Sequence, residues 1–192
     1  MPRGRRPTDE VRRDVLAAAG RMLLAEGMTG FTIERVAAES GASKVTIYKL
    51  WASKGALALD AYFSTVEPLL AFPDTGDLGA DLRTQLHAFV ELLTATPAGT
   101  VLRGLIGEAQ RDPALMEAYL TTYAAPRRQL AVDRIGLAVA RGQVREGVDP
   151  ATVVDQLWGA CYHRLLIPDL GIDVAFADQL LDHVLRGIVA EP

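Results

Sequence analysis

The chain has 192 residues, 49% of them apolar, 23% charged and 6% aromatic, which is enough for a buried core and unlike a disordered or fibrous composition. Its apolar runs are broken by Arg, Glu or Asp well short of the roughly 18 residues a membrane span needs, and no apolar leader opens it, which reads as a cytoplasmic protein without a membrane partner. One cysteine, Cys161, and three scattered histidines, His87, His163 and His183, exclude a disulfide scaffold and give no metal-ligand spacing.

The formal net charge is −4, but it is unevenly shared. Residues 1–55 hold ten Lys/Arg against six Asp/Glu, net +4, and residues 56–192 hold ten against eighteen, net −8. All three lysines, Lys44, Lys49 and Lys54, fall in one short run. A split of this kind points to two jobs, with a polyanion-facing one at the N-terminal side.

In chain order, Arg3, Arg5 and Arg6 lie between Pro2 and Pro7, a basic arm too small to fold alone. Thr8 is the expected N-cap of a first helix, about Thr8 to Glu26. Asp9 and Glu10 sit in its first turn, Val11, Val15, Ala18, Met22 and Ala25 recur at steps of three and four, and Gly27 closes it. Thr32 caps a short second helix with Ile33, Val36 and Ala37 inward, and Gly41 after Ser40 permits a tight reversal. Ser43 caps a third helix with Ile47 and Trp51 one turn apart on its inner face. Ser53 caps a fourth, Lys54 to about Leu70, anchored by Leu57, Tyr62 and Phe63.

A Pro/Gly/Asp-rich break follows from Pro73 to Gly79, and then helical patterns alone. Leu82, Leu86, Phe89, Val90 and Leu93 mark a helix ending near Pro97, and another runs from about Ala98 to Gln110. Asp112 with Pro113 opens a helix that Pro126 must interrupt or kink before Arg141. Asp149 with Pro150 opens a strongly apolar helix that Pro168 stops, and Asp173 begins a last one ending near Val189. No segment alternates as a strand does, so the expected fold class is all-α with about nine helices.

Two short helices joined by a turn of three or four residues at Gly41 form the helix-turn-helix pattern. Its second helix must show a polar outer face to base edges while its inner face grips the neighbouring helices. Lys44, Val45, Thr46, Tyr48 and Lys49 supply the outer face, and Ile47 with Trp51 the grip. Lys44 and Thr46 suit a guanine or another base edge, and Val45 or the Thr46 methyl suits a thymine methyl. Tyr48 suits a phosphate, with core packing as its alternative role. Lys54 joins its charge to the free N–H groups at the start of the fourth helix, a phosphate-binding combination.

The stretch TIERVAAESGASKVTIYKLWASK, Thr32 to Lys54, resembles the DNA-binding domain of the TetR (tetracycline repressor) family of bacterial transcription regulators. Thr32, Gly41, the run Ser43 to Tyr48, Trp51 and the Ser53-Lys54 pair all fall in that register. GQVREGVDPATVVDQLWGACYHRLLI, Gly142 to Ile167, looks like the penultimate helix region of one large subgroup. The resemblance implies an N-terminal three-helix helix-turn-helix domain with a basic arm, residues 1–55, and a helical effector-binding and dimerisation domain, residues 56–192. It also implies that Thr32 binds the DNA backbone on the flank opposite Lys54. Two positions depart from the pattern: Leu50 stands where the family tends to put His, Tyr or Arg, and Val45 is bulkier than the small residue often found there. Arg3, Arg5 and Arg6 resemble an AT-hook arm for the minor groove, a generic basic tail being the alternative.

A DNA reader this small needs two half-sites. In the helix from Pro150, Val153, Leu157, Ala160 and Arg164 form one stripe, and Val154, Trp158, Cys161 and Leu165 form its neighbour. The last helix carries Phe176, Leu180, Val184 and Leu185. The resemblance implies that these two helices pair across a two-fold axis as a four-helix bundle. The dimer-interface candidates are then Val153, Leu157, Arg164, Phe176, Leu180 and Val184, with burial inside one chain as the alternative.

Tyr62, Phe63, His87, Phe89, Met116, Tyr119, Tyr123, Trp158 and Tyr162 are candidates to line a ligand pocket, and the scarcity of charge among them points to a small apolar or aromatic effector. Such a ligand is expected to re-set the fourth helix, and with it the separation of the two recognition helices. The expectation is a ligand-responsive repressor that binds a palindromic double-stranded DNA operator as a homodimer, with no cofactor, metal or catalytic residue. Most serines fall in turns or caps, and no nucleophile elbow or phosphate-cradling glycine loop is present. The competing readings are a constitutive DNA-binding protein without an effector, a ligand carrier, and a helical enzyme.

Overall fold

The computed structural model describes residues 7–188, so Arg3, Arg5 and Arg6 lie outside the described residues. Among those described there are ten α-helices and no β-strand: α1 (Thr8–Gly30), α2 (Ile33–Ser40), α3 (Lys44–Leu50), α4 (Lys54–Val66), α5 (Leu78–Ala95), α6 (Ala98–Ala109), α7 (Pro113–Tyr119), α8 (Ala125–Ala140), α9 (Pro150–Leu166) and α10 (Val174–Ile188). A π-helical turn, Leu120–Ala124, joins α7 to α8 without a gap. The ten segments therefore make nine continuous helical stretches, and the fold is all-α.

The caps set most of the boundaries. Thr32, Ser43, Ser53, Asp77, Asp112 and Asp149 each accept a backbone N–H from the first turn of the helix they precede, an interaction typically worth about 1 kcal/mol. Gly41 ends α2 in the left-handed region at φ 67°, where a side chain would be strained.

Four local expectations need correction. Thr8 is already helical; Pro7 occupies the N-cap position, with no side-chain cap bond. Gly27 takes φ 66°, yet helical structure resumes to Gly30, because the Arg35 guanidinium bridges the Glu26 carboxylate and the Gly30 carbonyl oxygen. Trp51 lies just past α3 in extended backbone, its N–H donating to the Ile47 carbonyl. The disturbance caused by Pro126 falls earlier, at the π-helical turn, because the ring collides with the carbonyl four residues before it and a wider turn opens room.

The chain forms two compact units, one of Met1–Pro68 with Thr100–Thr122 and one of Leu69–Gly99 with Tyr123–Pro192. In the first, α1 packs on α4 and α2. Val15, Ala18, Phe31, Val36, Ile47 and Leu57 are fully buried there. A Cβ on Gly20 would lie 2.4 Å from Thr65 Oγ1, so glycine is what lets α1 and α4 approach.

In the second unit α5 packs on α10, α8 on α9, and α9 on both α5 and α10. Val153 and Leu157 are 2% and 0% exposed in the single chain, which corrects their place among the dimer-interface candidates: their own core already covers them. Arg164 is likewise engaged at home, donating to the Leu170 and Gly171 carbonyls and lying 3.7 Å from the Phe176 ring centroid. The side of α9 left exposed carries Gly159, His163 and Leu166, while Phe176, Leu180 and Val184 of α10 are half-buried.

Candidate nucleic-acid interface

The reading head is held by three ion pairs that tie α2 and α4 to α1. Arg12 pairs with Asp60 of α4, Arg21 with Glu39 of α2 at 2.7 Å, and Arg35 with Glu26. The Asp60 oxygen that takes Arg12 also accepts the indole N–H of Trp51 at 2.8 Å, and the Arg12 guanidinium lies 5.7 Å from the Trp51 ring centroid. The residue after the recognition helix is thereby fixed to both α1 and α4.

Ser43 Oγ accepts the Thr46 N–H at 3.1 Å and shares a second hydrogen bond with Thr46 Oγ1 at 2.9 Å. With Ile47 fully buried beneath, the residues on either side of it face outward. Val45 is 65% exposed and Tyr48 53% exposed, so Tyr48 stands outside the core; Lys44 and Lys49 are exposed, and Thr46 is half-buried. Isolated exposed apolar residues are common, but a valine and a tyrosine beside two lysines on one short helix make a mixed surface suited to methyl groups, base edges and phosphates.

The flanking residues are more constrained. Thr32 Oγ1 accepts the Arg35 N–H at 3.3 Å. Lys54 turns back toward the end of α1, donating to the Met28 carbonyl at 3.4 Å with its ammonium 5.8 Å from the Phe31 centroid. Leu50 is half-buried.

Lys44 Nζ donates to Glu34 Oε1 at 3.0 Å, and that hydrogen bond holds the Glu34 carboxyl below its usual range. Sequence periodicity missed this partner, which sits ten residues earlier on another helix. Of the described cations up to Gly55, Arg12, Arg13, Arg21, Arg35 and Lys44 each have a carboxylate within salt-bridge reach. Lys49 and Lys54 are the two without one among the described residues. Residues 7–55 hold seven Lys/Arg and six Asp/Glu, so the N-terminal surplus rests mainly on Arg3, Arg5 and Arg6.

The ligand-pocket candidates are divided. Tyr62, Phe63, Met116 and Tyr119 belong to the first unit, and His87, Phe89, Tyr123, Trp158 and Tyr162 to the second. In the first, Phe63 packs edge-on against Tyr62 and tilted against Tyr119, with centroids 5.3 and 6.4 Å apart. In the second, Phe89 meets Tyr162 at 5.6 Å and Phe72 meets Trp158 at 6.1 Å. His87 Nε2 contacts Asp178 Oδ1 at 2.8 Å, beside the Arg83 pairs to Asp178 and Asp182.

Also missed was a buried polar group in the second unit. Asp81 and Arg134 are 0% and 4% exposed, and Gln85 is 2% exposed. The signal was available, because Asp81 and Gln85 stand four apart within the apolar register of α5.

Among the described residues no group of three or more His, Cys, Asp or Glu is arranged to hold a metal ion, and no single helix is long and apolar enough to cross a membrane. The profile described as "Bacterial regulatory proteins, tetR family" matches residues 15–61, and the one described as "Tetracyclin repressor-like, C-terminal domain" matches residues 72–184. An uncharacterized HTH-type transcriptional regulator of Bacillus subtilis, YdeS, is 33% identical over 96% of this chain and 93% of its own. The DNA-binding transcriptional repressor TetR of Mycobacteroides abscessus is 32% identical over 91% of this chain and 92% of its own. The crystal structure of the TetR family transcription regulator SCO0332 is 55% identical, covers 95% of this chain and 100% of that one, and superposes with a TM-score of 0.87.

Proposed function

Because the chain belongs to the TetR family of DNA-binding transcriptional regulators and not to an enzyme family, we propose that it is a homodimeric repressor that reads a palindromic operator through α3 and is released by a small-molecule effector. The observation that carries the reading is the outward row of Lys44, Val45, Thr46, Tyr48 and Lys49 above a fully buried Ile47. Lys44 and Thr46 read base edges, Val45 takes a thymine methyl, and Tyr48 and Lys49 meet phosphates. Thr32 and Lys54 bind the backbone on the two flanks, and Arg3, Arg5 and Arg6 enter the adjacent minor groove.

The second copy packs on the sides of α9 and α10 that the single chain leaves uncovered, through Gly159, His163 and Leu166 with Phe176, Leu180 and Val184. The effector acts by favouring one setting of α4, which carries Lys54 at its first residue.

Selection of bound duplexes from random DNA tests this reading: the recovered site is an inverted repeat with half-sites about one helical turn, or a multiple of it, apart. Lys54→Ala weakens binding to all sequences and lowers the salt slope by about one unit, whereas Lys44→Ala relaxes preference at one base position. Recovery of an asymmetric site, or identical effects of the two substitutions, refutes it.

Glu34 restrains the same surface. Its carboxylate holds Lys44 in place and faces the approaching phosphates with like charge. Glu34→Gln is therefore expected to raise affinity for random DNA more than for the operator, narrowing the ratio between them, and to steepen the salt slope by up to about one unit. Titration of both duplexes at several salt concentrations reads this, and an unchanged affinity for random DNA places the Glu34 carboxylate clear of the duplex.

A further inference from the structure

The first unit contains nine described lysines and arginines, and five of them have a carboxylate within salt-bridge reach. The four without one among the described residues are Lys49, Lys54, Arg103 and Arg111. The first two belong to the helix-turn-helix and the start of α4. Arg103 and Arg111 come from α6 and the turn after it, and the segment Thr100–Thr122 that holds them belongs to the same compact unit as α1 to α4.

The packing of α6 puts these arginines beside Lys54. Gly104 and Glu108, one turn apart on α6, face the end of α1 and the start of α4. A Cβ on Gly104 would lie 3.4 Å from Met28 Cγ, and a Cβ on Gly55 would lie 3.4 Å from Glu108 Oε1 and 2.9 Å from Leu115 Cδ2. Met28 is the residue whose carbonyl takes the Lys54 ammonium, and Gly55 follows Lys54. An open groove of about 510 Å³ runs along this part of α6, lined by Arg103, Gly104, Gly107, Glu108, Arg111 and Asp112. Its two carboxylates are taken up elsewhere. Asp112 caps α7, accepting the Ala114 and Leu115 N–H groups at 3.0 and 3.1 Å, and Glu108 reaches the first turn of α4, where the helix dipole favours negative charge. The groove is left with two guanidiniums that no carboxylate pairs, a fork geometry matched to phosphate.

We infer that α6 extends the DNA interface beyond the helix-turn-helix: Arg103 and Arg111 bind backbone phosphates neighbouring the one that Lys54 takes. The groove's place beside Lys54 and its unpaired positive charge are what select the backbone of the bound duplex as its occupant. Such contacts carry no sequence information; they set the register of the head on the duplex. They also give an effector a second route to operator release, because a shift of α6 withdraws two phosphate contacts without moving α4. The inference rests on the operator-binding reading above.

Anisotropy titrations of the full chain on the selected operator, at several salt concentrations and with single phosphates replaced by neutral methylphosphonates, test this. Arg103→Gln and Arg111→Gln each weaken binding about threefold to tenfold, on operator and random DNA alike, and lower the salt slope by about one unit. Their thermal transitions stay with the parent, because neither guanidinium gives up a carboxylate partner. One neutralised phosphate absorbs each loss: on that duplex the arginine variant binds no worse than the parent, and the phosphate neighbours the one that absorbs Lys54→Ala. An unchanged slope in either variant, or a loss that no neutralised phosphate absorbs, overturns the inference, while a Lys54-dependent phosphate in the same scan keeps the operator-binding reading. Arginine-dependent phosphates without a Lys54-dependent one keep the α6 contact and refute the role given to Lys54 in that reading. If inorganic pyrophosphate up to about 10 mM raises the thermal transition of the parent but of neither variant, and the salt slopes stay equal, the groove holds a free anion and the duplex contact is overturned.

Discussion

Replacing Asp81 by asparagine lowers the free energy of unfolding by about 3–5 kcal/mol, the usual cost of removing one partner of a buried ion pair. The loss arises at Arg134, which is 4% exposed and relies on Asp81 for its Nε and Nη2 hydrogen bonds. Asp74, 3.6 Å from Arg134 Nη2 and already paired with Arg141, offers only a partial substitute. Because native domains are stable by about 5–15 kcal/mol, one such change removes a large share of the total. Arg134→Leu costs a similar amount by stranding Asp81, but Asp81→Leu with Arg134→Leu recovers most of it, since a buried pair and an apolar pair of similar volume are often close in stability. Urea titrations of the three variants measure this directly, and a loss under about 1 kcal/mol for Asp81→Asn would show that the pair is solvated.

The same pair sets the response to acid. Burial pushes the Asp81 carboxyl upward, but the Thr75 and Arg134 hydrogen bonds outweigh it and hold the group below the usual carboxylate range. Asp74 is lowered chiefly by Arg141, and Asp178 chiefly by His87 and then Arg83. A carboxyl whose folded pKa lies below its unfolded value of about 3.9 contributes stability that is full above that value and is lost as pH falls toward the folded one. The melting temperature is therefore nearly flat between about pH 7 and 5 for these groups and drops below about pH 4, with a shallower drop in Asp81→Asn.

What the sequence made legible was local. A Ser, Thr or Asp two or three residues before a free backbone N–H announces a cap, and Thr32, Ser43, Ser53, Asp112 and Asp149 all serve as expected. The outer face of α3 followed from its short spacing, because only Ile47 can point inward once Lys44, Tyr48 and Lys49 point out. Sidedness on α9 was not legible. That helix is apolar over most of its circumference, so periodicity cannot tell the face turned to its own core, Val153 and Leu157, from the face left open at Gly159, His163 and Leu166. Pairings across a turn, such as Glu34 with Lys44, depend on the angle between two helices and leave no repeat in the sequence. Asp81 and Gln85 were visible as polar residues in an apolar register, but Arg134, the partner of Asp81, is about fifty residues away.

Trp51→Ala is expected to cost about 3–5 kcal/mol, the range for emptying a buried tryptophan site. The ring is 6% exposed, sits beneath Arg12, and ends in a 2.8 Å hydrogen bond to Asp60. Truncation leaves a cavity at the junction of α1, α3 and α4 and removes the side chain that fixes the exit of the recognition helix. Trp51→Phe keeps most of the volume and loses chiefly the indole donor, so it costs nearer 1 kcal/mol, with Arg12 still on Asp60. Lys49→Ala is the contrasting change: its exposed ammonium has no carboxylate partner among the described residues, so stability holds while DNA affinity and the salt slope fall. The paired measurements separate the two roles of this short segment. If Trp51→Ala melts with the parent and loses only DNA affinity, the indole is a contact to the duplex and not the clamp beneath α3.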